Sequence, residues 1–251
     1  MKKFRLIARI DVKNEFVIKG IHLEGLRKVG DPNKLAKKYY EAQVDEIFFM
    51  DVVASLYERN NLYHIIEQAC TEIFIPITIG GGIRSVDDIQ SALRSGADKV
   101  ALNTQAIKTP ELIEESSRKF GRQCIVGSIE AKRKRSGWEA YIDNGRESTG
   151  VDVIEWASRL EALGAGELIL TSVDQEGTKK GYDIELAKVV CSQVNIPVIA
   201  SGGIGQPTHL SQLCEQAPVD GVAIASVLHY NLNTPEEFKK ELSRNNVEVR
   251  L

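Results

Sequence analysis

Short apolar runs rich in β-branched residues alternate along the chain with longer amphipathic stretches, the pattern of buried parallel strands joined by helices. Strands are predicted at Phe4–Asp11, Glu46–Asp51, Ile75–Ile79, Lys99–Leu102, Gln123–Ile129, Glu167–Ser172, Pro197–Ala200 and Gly221–Ala225. Between them, Pro32–Gln43 reads as a helix capped by Asp31, and Val86–Ser95 as one opened by Ser85 and closed by Gly96. Eight such units in 251 residues match the size of a (β/α)8 TIM barrel. An open doubly wound sheet would show the same alternation.

An internal repeat favours the closed form. Glu46–Asp51 aligns with Glu167–Ser172 at an offset of 167 − 46 = 121, and Gly81–Ile83 with Gly202–Ile204 at 202 − 81 = 121. Asp98–Thr104 aligns with Asp220–Ser226 at 220 − 98 = 122. Four strands repeated in register suit two half-barrels. The expected architecture is therefore α/β: one TIM-barrel domain over residues 1–251 with a twofold repeat of halves at approximately 1–120 and 121–251. Two long connections, Val12–Gly30 and Ala131–Gly150, follow the first and fifth strands and are expected on the catalytic face. The second, with alternating Trp138, Ala140 and Ile142 above Lys132–Arg135, reads as a small hairpin or a solvated charge run.

The chain is 43% hydrophobic and 27% charged, which excludes a disordered or collagen-like polymer. With 32 Lys and Arg against 35 Asp and Glu, its formal charge of −3 provides no general basic field for nucleic acid or an anionic membrane. The four cysteines have no C-x-x-C spacing. Charges at Arg5, Arg9 and Asp11 interrupt what would be a signal-peptide core, and no apolar run approaches a membrane span, so a cytoplasmic protein is expected.

Gly80–Ile83 and Ser201–Gly205 follow the third and seventh strands and precede helices. Glycine permits close backbone approach to an anion, and helix-start N–H groups attract it. With Asn103–Thr104 and Ala225–Ser226 at the next strand ends, these segments imply two phosphate cups, although a Gly-Gly pair can also serve only as a turn. Acidic residues occupy the same rim: Asp11, Asp51, Glu130, Asp174 and Glu176. Asp11 and Glu130 end equivalent strands and form a candidate acid/base pair; Asp51 and Asp174 read equally well as loop caps. At the opposite end, Arg5, Glu46, Lys99 and Glu167 begin four strands and would meet in a salt-bridged ring, unless they form ordinary surface pairs. His22, His64, His209 and His229 share no ligand spacing, so no metal site is expected and each His is read as structural.

Through Asp11–Lys13, Lys19–Gly20, Gly30–Pro32, Asp45–Glu46, Gly80–Ile83, Gly96–Lys99, Asn103–Thr104, Leu170–Asp174, Gly177–Thr178, Gly181–Asp183 and Ala200–Gly203, the sequence closely resembles the HisF family, the cyclase subunit of imidazole glycerol phosphate synthase. The resemblance implies a heterodimer with a HisH-like glutaminase at the barrel bottom. Ammonia would pass the gate matching Arg5, Glu46, Lys99 and Glu167 and meet a ribulosyl-aminoimidazole-carboxamide nucleotide (PRFAR) at the top, giving imidazole glycerol phosphate and AICAR. Phosphate or substrate contacts are expected at Gly82, Asn103 and Thr104, at Gly177, Gly203, Ala225 and Ser226, and at Asp174, Glu176 and Lys19, the last in the family's flexible first loop, with no cofactor. Three positions depart from the family pattern: Glu130 and Glu176 replace Asp, and Arg9 replaces a small Cys. Strand alternation places Arg9 in the lumen, with Asp11 and Glu130 as its nearest candidate partners. The departures also fit a paralogue that conducts ammonia to another acceptor, such as the amidino groups of bacterial surface sugars. The related two-phosphate isomerase is a third reading, disfavoured by the ring of charges.

Overall fold

A computed structural model describes residues 3–54 and 62–250. Eight strands pair in parallel: β1 (Arg5–Lys13), β4 (Glu46–Asp51), β5 (Ile77–Gly80), β6 (Lys99–Leu102), β7 (Ile125–Arg133), β10 (Glu167–Ser172), β11 (Val198–Ser201) and β12 (Gly221–Ile224). The last joins the first, with Arg5 opposite Gly221, and β7 pairs with β10, with Val126 opposite Glu167, so the sheet closes into a (β/α)8 barrel. Four strands start later than the sequence pattern predicts, at Arg5, Ile77, Ile125 and Val198, and at two of them a proline is the reason. Pro76 and Pro197 lack an N–H for the ladder, but their carbonyls still accept from Ile47 and Leu168, and regular pairing begins one residue on.

Alternation along each strand separates two apolar layers. Leu6, Ala8, Ile10 and Val12 of β1 pack outward in the large core beneath the helices. Ile7, Phe48, Ala101, Val126, Ile169, Ile199 and Ala223 point inward and fill the lumen. Helices begin where capping chemistry permits. Asp31 accepts from the Lys34 N–H ahead of Pro32–Glu41, and Ser85 with Asp88 forms a capping box at Val86–Arg94.

The two long connections are both antiparallel hairpins on the strand-end face. β2 (Phe16–Ile21) and β3 (Glu24–Gly30) extend β1, while β8 (Trp138–Ile142) and β9 (Glu147–Asp152) extend β7. The first, which the family resemblance implies is a flexible loop, takes the form of a hairpin that carries Lys19. Val17 and Ile18 of β2 are buried, and Leu23 at its turn is 4% exposed, so the segment has an apolar face that docks it.

Candidate functional site

Asp11 and Glu130 lie near the ends of β1 and β7 and are almost fully buried, yet their surroundings differ. Arg9, two residues earlier on the same face of β1, donates from Nε to Asp11 Oδ1 at 2.8 Å, and Lys19 Nζ lies 3.3 Å from Oδ2. Burial alone would raise the Asp11 pKa, but these cations hold it down to about 2. Glu130 accepts the Gly145 N–H at 2.8 Å, and no cation pairs with it among the described residues. Burial pushes Glu130 up to about 7 against the opposing pull of Arg9 and that N–H.

Arg9 spans the upper lumen. Its Nη1 donates to Thr171 Oγ1 on β10 at 3.0 Å and Ser201 Oγ on β11 at 3.3 Å, and its guanidinium carbon lies 5.7 Å from the Phe48 ring centre. Of the two carboxylates that sequence alternation offered it, only Asp11 is bonded. Lys19 is also bonded to Glu176, so the first hairpin ties the β1 end to the loop after β10. His22 N–H donates to the Glu176 carbonyl and completes that attachment.

The glycine turns recur at two positions around the mouth. Gly81 and Gly82 have φ of +92° and +72°, and Gly202 and Gly203 have +97° and +104°, conformations that exclude most side chains. Gly82, Asn103, Thr104 and Glu130 line one cavity, together with Arg84, Lys108 and Asn144. Gly177, Gly203, Ala225 and Ser226 line a second cleft with Arg9 and Glu176. An adjoining cavity of about 610 Å³ under the first hairpin brings Lys19, Arg27, Lys179 and Tyr230 beside Gly177 and Ser226. The turns do not open directly into the helices that follow them. Val86–Arg94 begins after Gly82 and carries its own cap, so the N–H groups available to an anion at this turn belong to the glycine segment.

Other rim acids separate from the cups. Asp174 is exposed and accepts the Arg133 N–H, and it lines none of these cavities. Asp51 accepts from the Val53 and Ala54 N–H groups as a loop cap, while also facing the first cavity. Among the described residues, no group of three His, Cys, Asp or Glu side chains could hold a metal. Buried His229 bonds Tyr39 at 2.6 Å, and burial pushes its pKa down to about 3.

At the other end of the lumen, Arg5 bridges Glu46 at 2.8 Å and Glu167 at 2.5 Å, and Lys99 bridges the same two carboxylates at 2.7 and 3.1 Å. These contacts close a ring. Sequence reasoning missed the polar acceptors of Arg9, Thr171 and Ser201, and the return of the Asp143–Gly145 turn into the mouth. An Asn-Gly dipeptide between alternating strands signals such a turn, but not where it lands.

The chain matches the family described as "Histidine biosynthesis protein" over residues 5–234. It is 60% identical over 207 residues to the imidazole glycerol phosphate synthase subunit HisF of Legionella pneumophila, covering 82% of this chain and 98% of that protein. It is 48% identical over 249 residues to the HisF subunit of Lactococcus lactis subsp. cremoris strain SK11, covering 98% and 96%, respectively. The corresponding protein of Dehalococcoides mccartyi is 45% identical over 247 residues, with 98% of each chain covered. With its closed barrel and this near-complete coverage, the chain belongs to the HisF branch of the histidine biosynthesis proteins.

Proposed function

We propose that the chain is the cyclase/lyase subunit of an imidazole glycerol phosphate synthase, using ammonia to convert PRFAR to imidazole glycerol phosphate and AICAR. The observation that carries this reading is the pair of buried carboxylates at equivalent strand ends, one stabilised by cations and the other without such a partner. Asp11 remains ionised near neutral pH and serves as the base. Glu130, with a pKa of about 7, retains a protonated fraction and serves as the acid. Gly82, Asn103 and Thr104 hold one substrate phosphate, while Gly177, Gly203, Ala225 and Ser226 hold the other. Lys19 and Glu176 steady the first hairpin over the substrate.

A HisH-like glutaminase docks at the barrel bottom to form a heterodimer. Its ammonia enters through Arg5, Glu46, Lys99 and Glu167 and ascends the apolar lumen to the mouth. The reaction belongs to the cytoplasm and requires no cofactor, nucleic acid or membrane. Among the described residues, no helix is long and apolar enough to cross a membrane.

The purified chain, supplied with PRFAR and an ammonium salt, is expected to form both products. Asp11→Asn should reduce turnover by about 100-fold or more, the scale of losing a positioned proton-transfer group. Product formation is read by chromatography. No turnover by the unmodified chain would overturn the cyclase reading and leave an ammonia-conducting subunit with another acceptor.

A further inference from the structure

Arg9 has more hydrogen-bonding capacity than its protein contacts use. Nε is taken by Asp11 and Nη1 by Thr171 and Ser201, whereas Nη2 has no hydrogen-bond partner in the structure. The residue is 2% exposed, so an unused guanidinium N–H is costly in this position. Arg9 also lines the cleft containing Ser201, Gly203, Ala225 and Ser226. Of the nearby carboxylates, Asp11 bonds Arg9 and Lys19 and Glu176 bonds Lys19, while Glu130 is held by the Gly145 N–H rather than by Arg9.

We propose that Arg9 is a substrate-recognition residue whose Nη2 donates to the phosphate held by Gly177, Gly203 and Ser226, loosening the guanidinium's grip on Asp11 as it does so. The identity of the substrate rests on the cyclase reading; recognition of the phosphate group does not. A phosphate oxygen accepts strongly from a guanidinium, whose planar donors suit it geometrically. Because one rigid guanidinium reaches both Asp11 and this cleft, occupation of the cup is coupled to the freedom of the base at the reacting centre.

Inorganic phosphate titrated calorimetrically into the unmodified chain and Arg9→Met provides the direct test. The substitution retains an unbranched, buried chain but removes the donors. It should weaken one phosphate site by on the order of 10-fold or more, the scale of a lost charge-assisted bond. Unchanged phosphate affinity would overturn the proposal. In PRFAR kinetics, recognition predicts a similar rise in KM, whereas a lower kcat at constant KM would assign Arg9 only to positioning Asp11 and also overturn it. If Arg9→Met does not fold, a crystal structure of the unmodified chain with inorganic phosphate decides the matter. A phosphate oxygen within about 3.2 Å of Nη2 supports the contact; a phosphate held only by the turn and Ser226 refutes it. Failure to turn over PRFAR would remove the cyclase reading while leaving the phosphate titration valid.

Discussion

A buried carboxyl with no cation beside it keeps its proton to higher pH, whereas one between two cations loses it early. This difference separates the protonation of Asp11 from that of Glu130 despite their equivalent places in the half-barrels, as the proposed base and acid roles require. With Glu130 as the acid, its active form declines as pH rises through about 7. A plot of kcat/KM against pH should therefore fall on its alkaline side with an apparent pKa near 7. Glu130→Gln should lose that limb along with most of the rate; an unchanged limb would assign it to another group. Stability follows the same sign. Between the ordinary carboxyl range and about 7, the folded chain binds more protons at Glu130 than the unfolded chain, so this residue's contribution falls as pH rises. Urea titrations at pH 5 and 7 should show a smaller pH-dependent loss in Glu130→Gln than in the unmodified chain. The sequence exposed Arg9 as an inward charge, but not its choice of partner. That choice follows from Nε meeting Asp11 while Nη1 crosses to Thr171 and Ser201.

Each of the paired hairpins brings a polar group to the mouth from beyond the barrel strands. β2 supplies Lys19, and the turn between β8 and β9 supplies the Gly145 N–H for Glu130. The attachment of the first hairpin is tight at Gly177, whose φ is +74° and where an added Cβ would lie 2.5 Å from the Gly20 carbonyl oxygen. Backbone on both sides leaves little space for relief. Gly177→Ala is therefore expected to displace the hairpin and weaken the Lys19 contacts, raising KM for PRFAR by about 10-fold and lowering stability by about 1–3 kcal/mol. Steady-state kinetics and thermal unfolding measure these effects. Unchanged KM and stability would show that this close approach does not constrain the site. Alternation made the second hairpin readable through Trp138, Ala140 and Ile142. The first was harder to recognise because its solvent-facing stretch from Glu24 to Lys28 obscures the apolar Val17 and Ile18 that anchor it.

Closure gives the molecule two ends joined by a lumen that is lined by an apolar layer and crossed by Arg9 near the mouth. The repeat offsets exposed that architecture because corresponding βα units carry similar residues at strand ends, while the long-range pairing of β12 with β1 required coordinates. On the proposed route, ammonium salt in solution reaches the mouth directly, whereas ammonia from a glutaminase docked below would pass Arg5, Glu46, Lys99 and Glu167. A change at the ring should consequently separate the two nitrogen sources. Lys99→Met removes one cation from between two carboxylates and leaves Arg5 to pair with both. In the reconstituted complex with a HisH-like glutaminase, it should lower glutamine-driven turnover by about 10-fold relative to ammonium-driven turnover and reduce the product formed per glutamine hydrolysed. Stability should fall by about 1–3 kcal/mol, less than for breaking a fully buried pair because Lys99 and its partners retain some solvent contact. Parallel assays with the two nitrogen sources and a thermal melt distinguish passage from folding. Equal losses with both nitrogen sources would place the defect at the mouth or in the whole fold and remove the ring from the ammonia route.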